Sequence, residues 1–229
     1  MPTIDLNADV GEGGPDDETI LAHVTSANVA CGAHAGDEQT MRATCAAAIA
    51  RGVRIGAHPG YPDREGFGRR ELGLSPAEIA ETVREQVEML AAVATPAYVK
   101  LHGALYHRAG SDPEVAEAVA DAIDTAGGPH VVLAQPDSQL LLVAASRGWR
   151  AVTEGFADRG YEPDGLLVAR GLPGDLLDPQ GAATQAVELV RRGSFDSLCL
   201  HGDRPEAPET AARIAEALRA AQIETAAFA

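Results

Sequence analysis

Ala97-Tyr98-Val99-Lys100-Leu101-His102-Gly103-Ala104-Leu105-Tyr106 is a short β-like run that ends in reactive side chains. Lys100 and His102 are two residues apart, so on a strand they point the same way. Lys100 is the only lysine among 229 residues, and the other seventeen basic side chains are arginine. A desolvated lysine can lose its proton, which an arginine effectively cannot. An arginine-biased composition with one surviving lysine is the competing explanation. It has to be weighed against what the rest of the chain does.

The same pattern recurs. β-like runs are expected at Thr3–Leu6, Thr25–Val29, Val53–Ala57, Tyr98–Leu101, His130–Ala134, Arg150–Thr153 and Ser197–Leu200. Helical patterns lie between them at Glu38–Arg51, Pro76–Ala94, Pro113–Ala126, Ser138–Arg147, Pro179–Arg192 and Ala207–Ala221. Ser75, Pro76 and Glu78 form a helix-start signature. Gly52, Gly127 and Gly148 stand where helices should stop. Alternating strands and helices imply a parallel sheet. Polar residues then choose between an open sheet and a barrel. Strand one runs into Asp5, Asn7 and Asp9, and strand two into Asn28, Cys31, His34 and Asp37. Strand three ends at His58, strand six at Glu154, Asp158 and Arg159, and strand seven at His201 and Asp203. Strand five offers only Gln135. An open doubly wound sheet gathers its chemistry at one switch point. Chemistry at the C-terminal end of nearly every strand belongs to a TIM-like barrel. The expectation is one α/β domain over 1–229, a seven-stranded parallel β/α barrel whose closure the sequence leaves open.

The bulk numbers exclude several function classes. A formal net charge of −16 disfavours nucleic acid and anionic membranes as partners. Three cysteines without a regular framework argue against a disulfide scaffold. No apolar run is long enough to span a bilayer, and Asp5 and Asp9 interrupt any signal-like start, so a cytoplasmic location is expected. Neither a Walker loop nor a Rossmann fingerprint occurs. Gly11-Glu12-Gly13-Gly14 could offer backbone N–H groups to an anion, but a plain flexible loop is the simpler reading.

Each motif has a bland alternative. Asp5, Asn7 and Asp9 could be the solvated face of an edge strand, although carboxylates aimed into a barrel need partners or a task. His34 and Asp37 suit a base with its orienter or a pair of metal ligands. Cys31 could be a nucleophile, but Cys31, Cys45 and Cys199 read more simply as core. The loop Gly56–Arg70 carries Arg64, Arg69 and Arg70, forked donors suited to a carboxylate; solvated arginines on a connection are the competing view. His23, His107 and His130 have no strand-end placement.

Six motifs together resemble the LamB/YcsF family, in collinear order from residue 3 to about residue 220. They are Asp5–Gly13, Ser26–Asp37, Gly56–Arg69, Lys100–Tyr106, Phe156–Tyr161 and Leu200–Asp203. The resemblance implies a distorted seven-stranded barrel of the glycoside hydrolase/deacetylase type. It implies the A component of an ATP-dependent 5-oxoprolinase, a hydrolase of lactam utilization that opens 5-oxo-L-proline (pyroglutamate) to L-glutamate with two further subunits, B and C. ATP with Mg²⁺ would be held by those partners, no organic cofactor is evident, and a metal on this chain is left open. Two departures stand out: Leu101 where family members usually carry proline, and shortened connections before Tyr98 and Cys199. The expected catalytic set is Asp5, Asp9, His34, Lys100, His102, His201 and Asp203. In it His34 or His201 is the base, an aspartate its orienter, and Lys100 with His102 the oxyanion donors. The expected substrate-binding set is Asn7, Asn28, Asp37, His58, Arg64, Arg69, Glu154, Asp158 and Arg159. The alternatives are a metal-dependent deacetylase-like hydrolase and a non-catalytic substrate-binding subunit.

Overall fold

The computed structural model describes residues 2–14 and 16–228. Seven parallel strands close into a ring: β1 (Thr3–Val10), β2 (Ser26–Ala30), β3 (Arg54–His58), β4 (Tyr98–Val99), β5 (Val131–Ala134), β6 (Arg150–Phe156) and β7 (Ser197–His201). Closure comes from β1, which pairs with β7 on one side and β2 on the other, placing Asp9 opposite both His201 and Asn28. The question left open by the sequence is thereby answered: the barrel is closed. An eighth strand, β8 (Glu224–Thr225), was not foreseen and pairs with Thr3 and Ile4 at the start of β1.

The helices are α1 (Asp17–Leu21), α2 (Glu38–Arg51), α3 (Pro76–Ala91), α4 (Gly103–Ser111), α5 (Pro113–Thr125), α6 (Gln139–Ser146), α7 (Pro179–Arg192) and α8 (Ala207–Ala220). Their ends follow the sequence signals. Ser75 and Glu78 make the reciprocal capping box of α3. Gly52 closes α2 at φ 69° and Gly193 closes α7 at φ 70°, both left-handed conformations suited to glycine. Helices α1 and α4 are not among the expected ones, although Asp16 caps α1 by accepting from Thr19 N, with Asp17 and Glu18 in its first turn. Helix α4 starts at a glycine without a side-chain cap, and its buried Leu105, Tyr106 and Ala109 tie it to the core. Tertiary packing makes this helix, not propensity.

The strands alternate cleanly. Leu6, Ala8, Val10, Ala27, Val29, Leu198 and Leu200 belong to the main apolar core shared with the helices. Their neighbours Asp5, Asn7, Asp9, Ser26, Asn28, Ser197 and Cys199 turn into the barrel and are buried. Most barrels fill that space with branched aliphatic side chains; here much of it is polar. A separate small apolar cluster of Tyr98, Leu133, Val152 and Phe228 fills another part. Gly56 makes room for Tyr98, since a Cβ at Gly56 would lie 2.3 Å from the tyrosine ring. The ring's hydroxyl donates to Asn28 Oδ1 at 2.6 Å. Gly56→Ala is therefore expected to push Tyr98 off Asn28 and destabilise the fold by ~1–3 kcal/mol, the usual range for overpacking. Chemical denaturation checks this; an unchanged midpoint would show that Tyr98 has room to move.

Candidate active site

Side chains from β1 build the floor. Asp5 lies deepest, and its oxygens accept from Thr25 at 2.7 Å, from Ser26 at 2.6 Å and from Ser197. Burial pushes its pKa up despite those bonds. Asn7, one layer nearer the mouth, donates to Ser197 and Glu154 and accepts from Asn28. Asp9 reaches the mouth.

Lys100 is central to this layer. Its ammonium lies 2.9 Å from Asp9 Oδ1, 2.9 Å from Glu154 Oε1 and 2.9 Å from Cys199 Sγ. Burial works to strip its proton, but the carboxylates of Asp9 and Glu154 outweigh that and hold its pKa well above the ordinary value. Lys100 is therefore held as a cation by its carboxylate neighbours, where burial alone would favour loss of its proton. Asp9 is also buried, yet Lys100 and His58 hold its carboxyl well below the usual range. Cys199, read from sequence as plain core, turns inward onto Lys100; burial raises its pKa, so it stays a thiol.

Four histidines come to the mouth, as the strand ends suggest, but with unexpected partners. His201 sits 3.1 Å from Asp158 through Nδ1, and its backbone N–H donates to the same carboxylate at 3.0 Å. Its ring stacks on Phe156 and its Nε2 stands 3.9 Å from Asp9 Oδ2. The orienter of His201 is thus Asp158, assigned from sequence to substrate binding. Asp5 is not that orienter because it lies two layers below, and Asp203 is not because it pairs with Arg69.

His34, His58 and His102 gather around Glu12, from the glycine run that reads in sequence as a flexible loop. Gly11 and Gly13, at φ 74° and 83°, turn that loop so that Glu12 is buried. Its Oε1 lies 3.1 Å from His34 Nε2, 3.3 Å from His102 Nδ1 and 3.7 Å from His58 Nε2. Burial opposes its ionisation, but the His102 and His34 rings beside it keep its pKa low. Burial lowers His34 to about 4, so this ring is neutral near pH 7. His58 is pulled down by burial and raised beyond that by Asp9.

The loops around this cluster touch backbone to backbone. A Cβ at Gly202 would lie 2.3 Å from the carbonyl oxygen of Asp9, and one at Gly36 would lie 2.4 Å from that of Gly11.

A cavity of about 360 Å³ opens above the cluster, walled by Asp9, His58, Lys100, His102 and His201. Arg69, Arg159 and Arg170 line the same cavity, with Tyr106, His107 and Phe156. Arg69 stacks over Phe67 and pairs with Asp203. Arg159 is pinned by carbonyl oxygens of Asp175 and Val168.

Several expected residues fall outside this wall. Asp5, Asn7, Asn28 and Glu154 form the network beneath it. Asp37 is the exposed cap of α2, accepting from Thr40 N. Arg64 donates to the carbonyl oxygens of Gly32 and Gly36 and ties two loops together. His102 donates through Nε2 to Phe67 O at 2.8 Å, so its other nitrogen is left as an acceptor and not as an oxyanion donor. Cys31 is buried with its pKa raised to about 12, which removes it as a nucleophile. Sequence reasoning missed Glu12, Tyr106, His107, Phe156 and Arg170. An acid between two glycines just past a strand was the available signal for Glu12. Arg170 gave none, since it reaches the cavity from the long β6–α7 loop.

A closed β/α barrel with titratable side chains at its C-terminal mouth is an enzyme-type scaffold. Its fold is similar to a family 4 carbohydrate esterase from Streptomyces lividans, with a TM-score of 0.56 at 12% identity over 100% of this chain and 93% of that one. The chain belongs to the LamB/YcsF family, whose profile matches residues 4–229. It is 47% identical to a Streptomyces avermitilis protein named as the A component of 5-oxoprolinase, covering 99% of this chain and 100% of the relative. That alignment runs over 249 residues against a chain of 229, so the relative has segments without a counterpart here. The crystal structure of a lactam utilization protein from Thermus thermophilus superimposes with a TM-score of 0.90 at 38% identity, covering 100% of both chains.

Two outcomes follow from the electrostatics. Lys100→Met leaves Asp9 and Glu154 buried without their cation and should destabilise the fold by ~3–5 kcal/mol. Adding Glu154→Gln should recover part of that loss, and additive effects in a denaturation cycle would disprove the coupling.

In the mouth loop, Arg70 holds the Asp63 carboxyl down to about 2, bonding through Nε at 3.0 and 3.1 Å. A depressed folded-state pKa stabilises above the unfolded value of about 3.9, and the contribution is lost as pH falls towards about 2. Carboxyl ¹³C NMR should place the Asp63 midpoint near 2 and move it up in Arg70→Gln.

Proposed function

We propose that this chain is the lactam-opening A component of an ATP-dependent 5-oxoprolinase, converting 5-oxo-L-proline to L-glutamate together with two partner subunits, B and C. The observation that carries the reading is the His201–Asp158 pair opening into a small cavity with arginines on its wall. The names of the relatives supply the substrate class.

Arg170 is suited to the ring carboxylate, since guanidinium groups bind carboxylates in forked geometry, while Arg159, pinned by Asp175 O and Val168 O, and Arg69, paired with Asp203, add positive charge to the wall. In this reading the lactam carbonyl lies over the Asp9–Lys100–His58 floor. Asp158 fixes the His201 tautomer, leaving Nε2 as the general base. His201 takes a proton from water as the oxygen joins the ring carbonyl carbon. It returns that proton to nitrogen as the C–N bond breaks. A lactam is a poor electrophile; transfer of the γ-phosphoryl group of ATP to its oxygen on the partner subunits, releasing ADP, would activate it. C–N cleavage then leaves a γ-glutamyl phosphate, from which a second water releases inorganic phosphate and the carboxylate of glutamate. In this reading nucleotide and Mg²⁺ are held by those partners.

Glutamate release from 5-oxoproline plus ATP tests this. Activity is expected only when the chain and both partners are combined. His201→Ala should lower kcat by roughly 10²–10⁴-fold, the range for loss of a general base, in protein that still folds and melts cooperatively. Arg170→Ala should act mainly on KM. Equal activity from the partners alone would overturn the assignment, and an unchanged kcat in His201→Ala would remove His201 as base.

A further inference from the structure

We infer that Glu12, His34, His58 and His102 form a binding site for a divalent transition-metal ion of the Zn²⁺ class, set into the wall of the cavity. These residues each offer one ligand atom, all within 4.8 Å of one another, and all four are buried. No arrangement of acids alone would carry the inference. The ring orientations do.

His58 donates from Nδ1 to Lys100 O at 2.9 Å, and His102 donates from Nε2 to Phe67 O at 2.8 Å. Each bond commits the proton of a neutral imidazole to that nitrogen. With both rings neutral, the two remaining nitrogens, His58 Nε2 and His102 Nδ1, face each other at 3.0 Å as lone pairs, with Asp9 Oδ2 3.4 Å from the first and Glu12 Oε1 3.3 Å from the second. Lone pairs and carboxylates crowded in this way need a positive charge among them, either a second proton on an imidazole or a metal ion, and the convergence of a third imidazole, His34, on the same carboxylate oxygen favours the metal. Donation of the second N–H to a backbone carbonyl is also the usual outer-shell arrangement of metal-bound histidine.

The spacing fits the same reading. Four ligands about 2.1 Å from a tetrahedral ion are about 3.4 Å from each other. Here Glu12 Oε1 lies 3.1, 3.3 and 3.7 Å from the three histidine nitrogens. Three imidazoles and a carboxylate suit Zn²⁺ and its first-row neighbours, and Mg²⁺ poorly. Charge points the same way. The barrel interior buries Asp5, Asp9, Glu12, Glu154 and Asp158, whereas its buried cations are Lys100 and Arg159. His58 and His102 also wall the cavity, so the ion would stand beside the substrate pocket.

The site stands on its own geometry and is tested without turnover. The purified full-length chain is stripped with a chelator and then titrated with Zn²⁺ by calorimetry and with Co²⁺ by visible absorption. One ion per chain is expected, with the d–d bands of four-coordinate Co²⁺ and a rise in thermal midpoint on adding Zn²⁺. Losing an outer-shell partner already costs roughly 10–100-fold in affinity, so Glu12→Gln should weaken binding by at least about 100-fold. Asp203→Asn, outside the cluster, should bind as the wild type does. No uptake by the stripped wild type would overturn the site and leave a shared proton between His58 and His102. Unchanged binding in Glu12→Gln would overturn this ligand set. If Glu12→Gln fails to fold, the wild-type titration and Co²⁺ spectrum decide.

Discussion

The contact of Lys100 with Asp9 and Glu154 is the constraint around which the rest of the barrel is arranged. Both carboxylates are buried, and an isolated buried charge is far costlier than a paired one. Glu154 comes from β6, Asp9 from β1, and Lys100 follows β4 directly. One ammonium therefore spans the barrel interior and links three strand ends. Asn7 and Asn28 fill in around it, and Tyr98 and Tyr106 add their hydroxyls to Asn28 and Glu154. A cation so fully engaged is a poor proton donor. Its service to the mouth is to keep Asp9 ionised beside His58 and His201.

Above that layer the mouth has two halves. On one side His201, Asp158 and Phe156 make a preset base, with its tautomer fixed from behind. On the other, Glu12 and three imidazoles make a close donor cluster. The cavity touches both, and its arginines come from the loops after β3 and β6. A cleft of net negative charge thus presents a cationic outer wall to an anionic small molecule, despite the chain's charge of −16.

Strand periodicity, caps and the recurrence of polar strand ends were enough to read a seven-stranded barrel, because they depend on neighbours within a few residues. The positions of His34, His58, His102, His201 and Lys100 followed from the same local rule. What failed depended on distant contacts. Asp5 and Asp9 share one strand face, yet layer depth separates a structural acid from one at the mouth. Asp37 and Arg64 looked reactive, but one caps a helix and the other fastens loops. Glu12 hid in a glycine run whose path is set by two left-handed turns, and α4 hid because packing alone holds it. Arg170 reaches the pocket through the folded course of residues 157–178, which no local pattern encodes.

The close approach of Gly202 to Asp9 and of Gly36 to Gly11 bears on how this protein could change over generations. The loops after β1, β2 and β7 meet without space for even a methyl group, so they must be inherited together or rebuilt together. Single substitutions there are blocked by backbone, which cannot step aside as a side chain can. The β6–α7 loop is fastened at Gly160 and Val168, but Ala169 and Arg170 beyond them are exposed beside the pocket. Adaptation to a ring of different size or substituent has its open path through that loop, while the catalytic floor stays as it is.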